Sequence, residues 1–451
     1  MERAPQGFDV EAFDEYIYPQ FARAKVSVLS DVKPDKKCLT EVKADFIAGK
    51  IKEPVLTYEK NKDTWYDEPE IILLDLKNEL TMRYDIPEFI REQYIWAINE
   101  KIAKIRMLRE TQAVTKGGDV EYHMKRFQRY ADFIYGQPEP KIFNDVIQRI
   151  EHEITVANNQ ENNSSEVIEA RKKLLEIINR YKVDNPYSDS LQNINIDDRK
   201  SDEEIVTNAE DLKKIFENAL VSYGLNDWKV TIDKSGTRTA IAVSGDGKKV
   251  LLPTSEKLTL RSKKRQLTLS MIKGLIAHEI GTHALRKKNG QKSSILLLGS
   301  GLDRYEQGEE GLATYREQNE QPTSEPVGLD AYFAIGLAKG MDGAPKRNFT
   351  EVFEILVNYY LVTENTDIAR AKELAWSRCE RIFRGTTGTV PGVVFLKDLM
   401  YRHGNISHWK AVANGSLDGI DLDSGKFDPT NPRHTTFLNK LKELNKVVNQ
   451  L

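Results

Sequence analysis

Residues 267–290 read LTLSMIKGLIAHEIGTHALRKKNG, and the fold turns on how this stretch is taken. Leu267, Met271, Leu275 and Ile276 recur at helical spacing, basic residues crowd the end, and Asn289-Gly290 is a stop signal. The spacing predicts a helix from about Lys264 to Lys288. On it stand His278, Glu279 and His283. Two imidazoles on one helix with a carboxylate beside the first are what a catalytic zinc site requires: neutral nitrogen ligands, and a base close to the water that the metal activates. In the common metalloprotease motif the histidines are four residues apart, or about 40° around the helix. Here they are five apart, or about 140°, and a regular α-helix cannot aim both at one ion. Local i→i+5 bonding brings them back together, and Gly281 sits where such a π-bulge has to form.

Working outward, Trp228 to Ile232, Thr239 to Val243 and Val250 to Leu252 are short, β-branched and apolar, and Gly245-Asp246-Gly247 between the last two is a hairpin signal. A small antiparallel sheet is therefore expected before the histidine helix. From about residue 10 to 185 the pattern is helical. One element starts at Asp85, read as an N-cap, and carries Ile95, Ile98, Ile102 and Ile105; another holds Met124, Phe127, Ala131 and Ile134 and stops at Gly136. Their aromatic residues read as core, so no organic cofactor is inferred from them. Polar stretches at 158–165 and 184–204 read as linkers. The second divides a helical N-terminal region, 1–195, from a catalytic region, 196–451, and leaves open whether the two pack as one unit. The expected class is α+β, mainly α: a helical zinc metallopeptidase with a small antiparallel sheet ahead of the His-Glu-x-x-x-His helix.

Composition narrows the partners. The 451 residues carry 66 Lys+Arg and 69 Asp+Glu, a net charge of −3, which gives no electrostatic footprint for nucleic acid. No run of about eighteen apolar residues is present to span a bilayer. The N-terminus has no secretory signal pattern, and Cys38 and Cys379 are too few for a disulfide framework, so a reducing, cytoplasmic location is expected. Gly245-Asp246-Gly247-Lys248 lacks the earlier glycine and the Ser/Thr of a nucleotide loop.

A catalytic zinc site needs a third protein ligand and an open position. Glu310 lies in Gly308-Glu309-Glu310-Gly311-Leu312-Ala313-Thr314-Tyr315, with Glu309 and Glu306 as competitors, and spacing alone does not choose among the three. For gripping a carboxylate on a ligand, arginine's planar fork is best suited. Arg381 and Arg384, three apart, and Lys397 are the candidates, with Arg381 and Lys397 favoured. Tyr401 or His403 are candidates for stabilising the oxyanion, by analogy with other zinc peptidases. The basic run Lys257, Arg261, Lys263, Lys264, Arg265 offers a surface for an acidic tail, and the strand around Arg238 to Val243 offers an edge for an extended peptide.

His-Glu-Ile-Gly-Thr-His-Ala-Leu-Arg, then Asn-Gly-Gln, Gly301-Leu-Asp-Arg-Tyr and Glu-Gly-Leu-Ala, resembles the tyrosine/phenylalanine carboxypeptidase family. Its bacterial members carry a Gln-Glu-Gly-Leu-Ala motif, and its animal members include the microtubule-associated tyrosine carboxypeptidase. The resemblance extends through Phe46 to Tyr58, Tyr135-Gly136, Arg381 to Gly385 and Phe395 to Tyr401. It implies that His278, His283 and Glu310 bind Zn2+, that Glu279 is the catalytic base, and that the substrate is a peptide or protein C-terminal tail ending in Tyr or Phe. Glu309 stands where the family has Gln. Two alternatives stay open at this point: a zinc peptidase of another cleavage direction, since dipeptidyl peptidase III shares the six-residue histidine motif, and a non-catalytic interaction protein holding a metal.

Overall fold

The computed structural model describes residues 8–26, 35–61, 64–158, 164–184, 205–235, 241–244, 247–259, 267–323 and 325–448. Among the described residues seven helices come first: α1 (Val10–Arg23), α2 (Lys36–Ile47), α3 (Thr64–Met82), α4 (Glu88–Thr115), α5 (Val120–Tyr135), α6 (Pro140–Asn158) and α7 (Ser165–Asp184). The stripe Met124, Phe127, Ala131 and Ile134 is the buried face of α5, and Gly136, at φ +77°, ends that helix in a conformation that only glycine adopts without strain. Helix α4 starts later than its sequence suggests. Asp85 spends its carboxylate on Arg83 at 2.7 Å, and Pro87, not Asp85, precedes the first turn. Most of the two polar linkers lies outside the described residues.

After α8 (Ala209–Ser222) comes a sheet of β1 (Lys229–Ile232), β2 (Ala242–Ser244) and β3 (Lys249–Leu252) in the order β1-β3-β2. The sheet is mixed, which corrects the antiparallel expectation: β2 and β3 form the antiparallel hairpin, but β1 runs parallel to β3, with Lys229 opposite Lys249. Apolar alternation records which face of a strand is buried and not the direction of its partner, so the sequence pattern could not separate the two cases. β2 is an edge strand among the described residues, while Arg238 to Ala240 and the turn residues Gly245 and Asp246 lie outside them.

The chain continues through α9 (Ser255–Thr259), α10 (Leu269–His278), a π-helical turn (Glu279–Ala284), α11 (Leu285–Gly290), α12 (Leu297–Ser300) and α13 (Glu306–Glu320). It ends with α14 (Leu329–Lys339), α15 (Phe349–Thr363), α16 (Ile368–Ile382), a 3-10 turn (Leu396–Asp398), α17 (Leu399–Ala413) and α18 (Pro432–Val448). Helix α10 begins at Leu269, where the Thr268 hydroxyl accepts from the Met271 amide at 3.3 Å. Of the basic run ahead of it, only Lys257 lies within the described residues. The protein is mainly helical, and no helix of the described residues is long and apolar enough to cross a membrane.

Among the described residues, buried apolar side chains form two clusters. The larger joins α1–α7 to α14–α18; the smaller joins Leu212, Phe216 and Leu220 of α8, Val230, Val250 and Leu252 of the sheet, and Ile272, Ile280 and Ala284 of the histidine segment. Helix α13 packs on α10 on one side and on α17 on the other. The second contact is backbone to backbone: a Cβ on Gly311 would lie 2.4 Å from the Gly404 carbonyl oxygen, and one on Gly404 would lie 2.1 Å from that of Gln307. Small residues at 311 and 404 thus set how closely the two helices approach.

Candidate active site

The five-residue spacing of the histidines is accommodated by the backbone. Over Glu279–Ala284 the chain is π-helical, and the Leu285 amide turns to the carbonyls of Ile280 and Thr282. The extra residue rotates His283 back beside His278, with ring centroids 5.0 Å apart. A Cβ at Gly281 would stand 2.8 Å from the Tyr223 hydroxyl, so a larger residue there requires the Tyr223 side chain to shift.

Helix α13 supplies the opposite wall. Glu310 Oε2 is 3.7 Å from His278 Nε2 and 3.7 Å from His283 Nε2, and the ligand atoms of the three residues all lie within 4.8 Å of one another. The other ring nitrogens face carboxylates: His278 Nδ1 is 2.9 Å from Glu317 and His283 Nδ1 is 3.0 Å from Glu309. A carboxylate only accepts, so each Nδ1 carries a proton, and each Nε2 is the nitrogen turned inward, the one whose lone pair becomes available when its own proton leaves. Glu310 and Glu317 are seven residues apart, about two helical turns, which is how one straight helix reaches both the inner and the outer nitrogen of His278. Two nitrogens and one carboxylate, with outer carboxylates fixing the imidazoles, are the chemistry of a three-ligand zinc site, and these residues fit that ion.

The electrostatics agree. Burial disfavours a charged His278, yet its bonds to Glu310 and Glu317 and the nearby charge of Glu279 push its pKa up to about 10. Burial opposes ionisation of Glu310 too, but both histidines and Lys397 hold its pKa below the usual value. The competing glutamates are engaged elsewhere. Glu309, despite its burial, is kept ionised by Arg286, by Lys426 at 2.9 Å and by His283. Glu306 pairs with Lys397 at 3.1 Å and Lys104 at 3.7 Å. Glu279 is half-buried next to His278 and makes no hydrogen bond or ion pair with another described residue, which leaves its oxygens accessible.

The carboxylate-binding and oxyanion candidates divide. Tyr401 lies within electrostatic reach of Glu310, and its hydroxyl pKa is pushed up to about 12 by burial and that negative charge. Arg381 stacks over the Tyr401 ring at 5.8 Å and is ion-paired with Asp398. Lys397 acts on Glu310 from its pairing with Glu306. Arg384 instead lines a shallow depression with Leu39, Leu56, Tyr58 and Glu380. His403 is buried against the Tyr332 hydroxyl at 2.9 Å, and burial together with Arg402 lowers its pKa to about 4. An open groove begins at Glu317 and follows α13 past Gln318 and Gln321 toward Tyr360.

Sequence reasoning passed over Glu317, Arg286 and Lys426. Helical arithmetic from Glu310 points to Glu317; nothing local marks Arg286 or Lys426, which arrives from a loop over a hundred residues away.

A family model described as microtubule-associated tyrosine carboxypeptidase matches residues 178–423, a span that includes both histidines, Glu310, Arg381, Lys397 and Tyr401. No curated protein and no solved structure matches.

Proposed function

The chain belongs to the microtubule-associated tyrosine carboxypeptidase family, and from that premise we propose a zinc-dependent enzyme that hydrolyses the C-terminal peptide bond of a peptide or protein tail and releases tyrosine or phenylalanine. Membership makes it a carboxypeptidase; zinc dependence and aromatic specificity are the finer reading. The observation that carries it is the convergence of two outward-anchored imidazoles and Glu310 on one point.

His278, His283 and Glu310 would hold the zinc. When bound, zinc polarises the scissile carbonyl and brings the pKa of water from about 15.7 toward 7. Glu279, unpaired and adjacent, takes the proton of the attacking water and passes it to the leaving amine. Tyr401 keeps its proton at neutral pH, its pKa being raised to about 12, and so is able to donate to the oxyanion. Arg381 and Lys397 bind the substrate's terminal carboxylate, which exchanges for the protein carboxylates of Asp398 and Glu306 that pair with them at rest. Both cysteines are free in the fold, in keeping with a cytoplasmic setting.

The test is product analysis on a peptide ending in tyrosine and on the same peptide amidated at its C-terminus. Free tyrosine from the first and nothing from the second is expected. Cleavage of the amidated peptide would refute exopeptidase action at the C-terminus.

A further inference from the structure

A π-bulge redirects an amide that an α-helix would aim at one of its carbonyls, and here that carbonyl is Gly281's. In an α-helix the Leu285 amide would bond the Gly281 carbonyl; instead it goes to Ile280 and Thr282. The Gly281 oxygen accepts from Arg316 Nη1 on α13, at 2.6 Å, and the same nitrogen lies 3.4 Å from the Thr282 hydroxyl. The Thr282 hydroxyl in turn donates to the Ala277 carbonyl at 2.9 Å, bridging the wide turn. Arg316 is held from behind by Asp423, 2.9 Å from Nη2. On the far side, the Tyr223 hydroxyl occupies the space that a Cβ at 281 would need.

We propose that Arg316 is a positioning residue for the metal centre: its guanidinium takes the place of the Leu285 amide at the Gly281 carbonyl, holds the wide turn open, and so fixes His283 beside His278. This rests on the zinc reading above. The placement within α13 follows from helix geometry. Arg316 is seven residues beyond Glu309 and Glu317 seven beyond Glu310, so one straight helix carries two adjacent rows, each with a member at both ends of the site. A lysine at 316 retains one charged donor to the carbonyl but not the fork that also reaches Asp423.

The experiment measures zinc affinity by chelator competition and the visible spectrum of the cobalt-substituted protein, for the wild type, Arg316→Met and Arg316→Lys, with thermal unfolding of each metal-free protein alongside. Outer residues that orient metal ligands are worth roughly 10- to 100-fold in affinity, and a loss of that size with an altered cobalt spectrum is expected for Arg316→Met, with partial recovery in Arg316→Lys. Wild-type affinity and an unchanged spectrum in Arg316→Met would overturn the role of Arg316 and leave the zinc reading intact. A wild type that binds no zinc would overturn both. If Arg316→Met does not fold, Asp423→Asn serves in its place: a few-fold loss of affinity is expected, and none would count against the proposal.

Discussion

The turn Glu279–Ala284 and the helix Glu306–Glu320 meet at the same point but are built in opposite ways. The first is distorted, carries Glu279 and His283 with His278 at its N-cap, and turns the Leu285 amide away from its own Gly281 carbonyl. The second is regular and carries Glu309, Glu310, Arg316 and Glu317, which respectively anchor His283, face both Nε2 atoms, satisfy that carbonyl and anchor His278. The irregularity that brings the imidazoles together is maintained by the regular helix opposite. An unsupported π-turn would relax toward α-helix and part the histidines.

The largest effect that would break this picture is loss of the base. Glu279→Gln should lower kcat by about 10² to 10⁴ while zinc content stays at the wild-type level, as read by steady-state kinetics and elemental analysis; full activity would remove Glu279 from its role. Next comes the buried charge under the site. Glu309 is paired with the fully buried Arg286 and with Lys426, so Glu309→Ala should cost about 3–5 kcal/mol in denaturant unfolding, because it strands a buried cation. Glu309→Gln, which keeps the hydrogen-bonding shape, should cost less.

Gly281→Ala tests the distorted side of the comparison. The added Cβ meets the Tyr223 hydroxyl, and overpacking of this kind costs about 1–3 kcal/mol; Tyr223→Phe in the same chain should return part of it. The smallest effect concerns pH. Burial opposes ionisation of Glu306, but Lys104 and Lys397 outweigh it and bring its pKa down from 4.5 to about 2. The stability it contributes is therefore fully present above about pH 4.5 and is lost as the pH falls toward 2. Glu306→Gln should flatten the stability curve across that interval and leave its shape above pH 5 unchanged.

Parts of this were readable in the chain itself. Histidines five positions apart, with a glycine between them, imply a widened turn, because at 100° per residue a regular α-helix cannot aim both at one point. The stripes of α5 appear where their periodicity puts them. Pairing direction was not readable: β1 meets β3 some twenty positions later, and nothing in Lys229–Ile232 specifies parallel contact. The ion pairs of Arg381 with Asp398 and of Lys397 with Glu306 were equally hidden, since they depend on how α13, α16 and the 3-10 turn at Leu396–Asp398 come together. Arg316 was invisible for the same reason: its partner is a backbone carbonyl created by the bulge itself.

The most direct test of a zinc carboxypeptidase built on these residues is zinc content of the purified protein and of His283→Ala, with release of tyrosine from a tyrosine-ended peptide followed on the same samples. One zinc per chain with tyrosine release in the wild type, and loss of both in the variant, is the expected result. Tyrosine release by protein free of zinc, or undiminished zinc and release in His283→Ala, would contradict it.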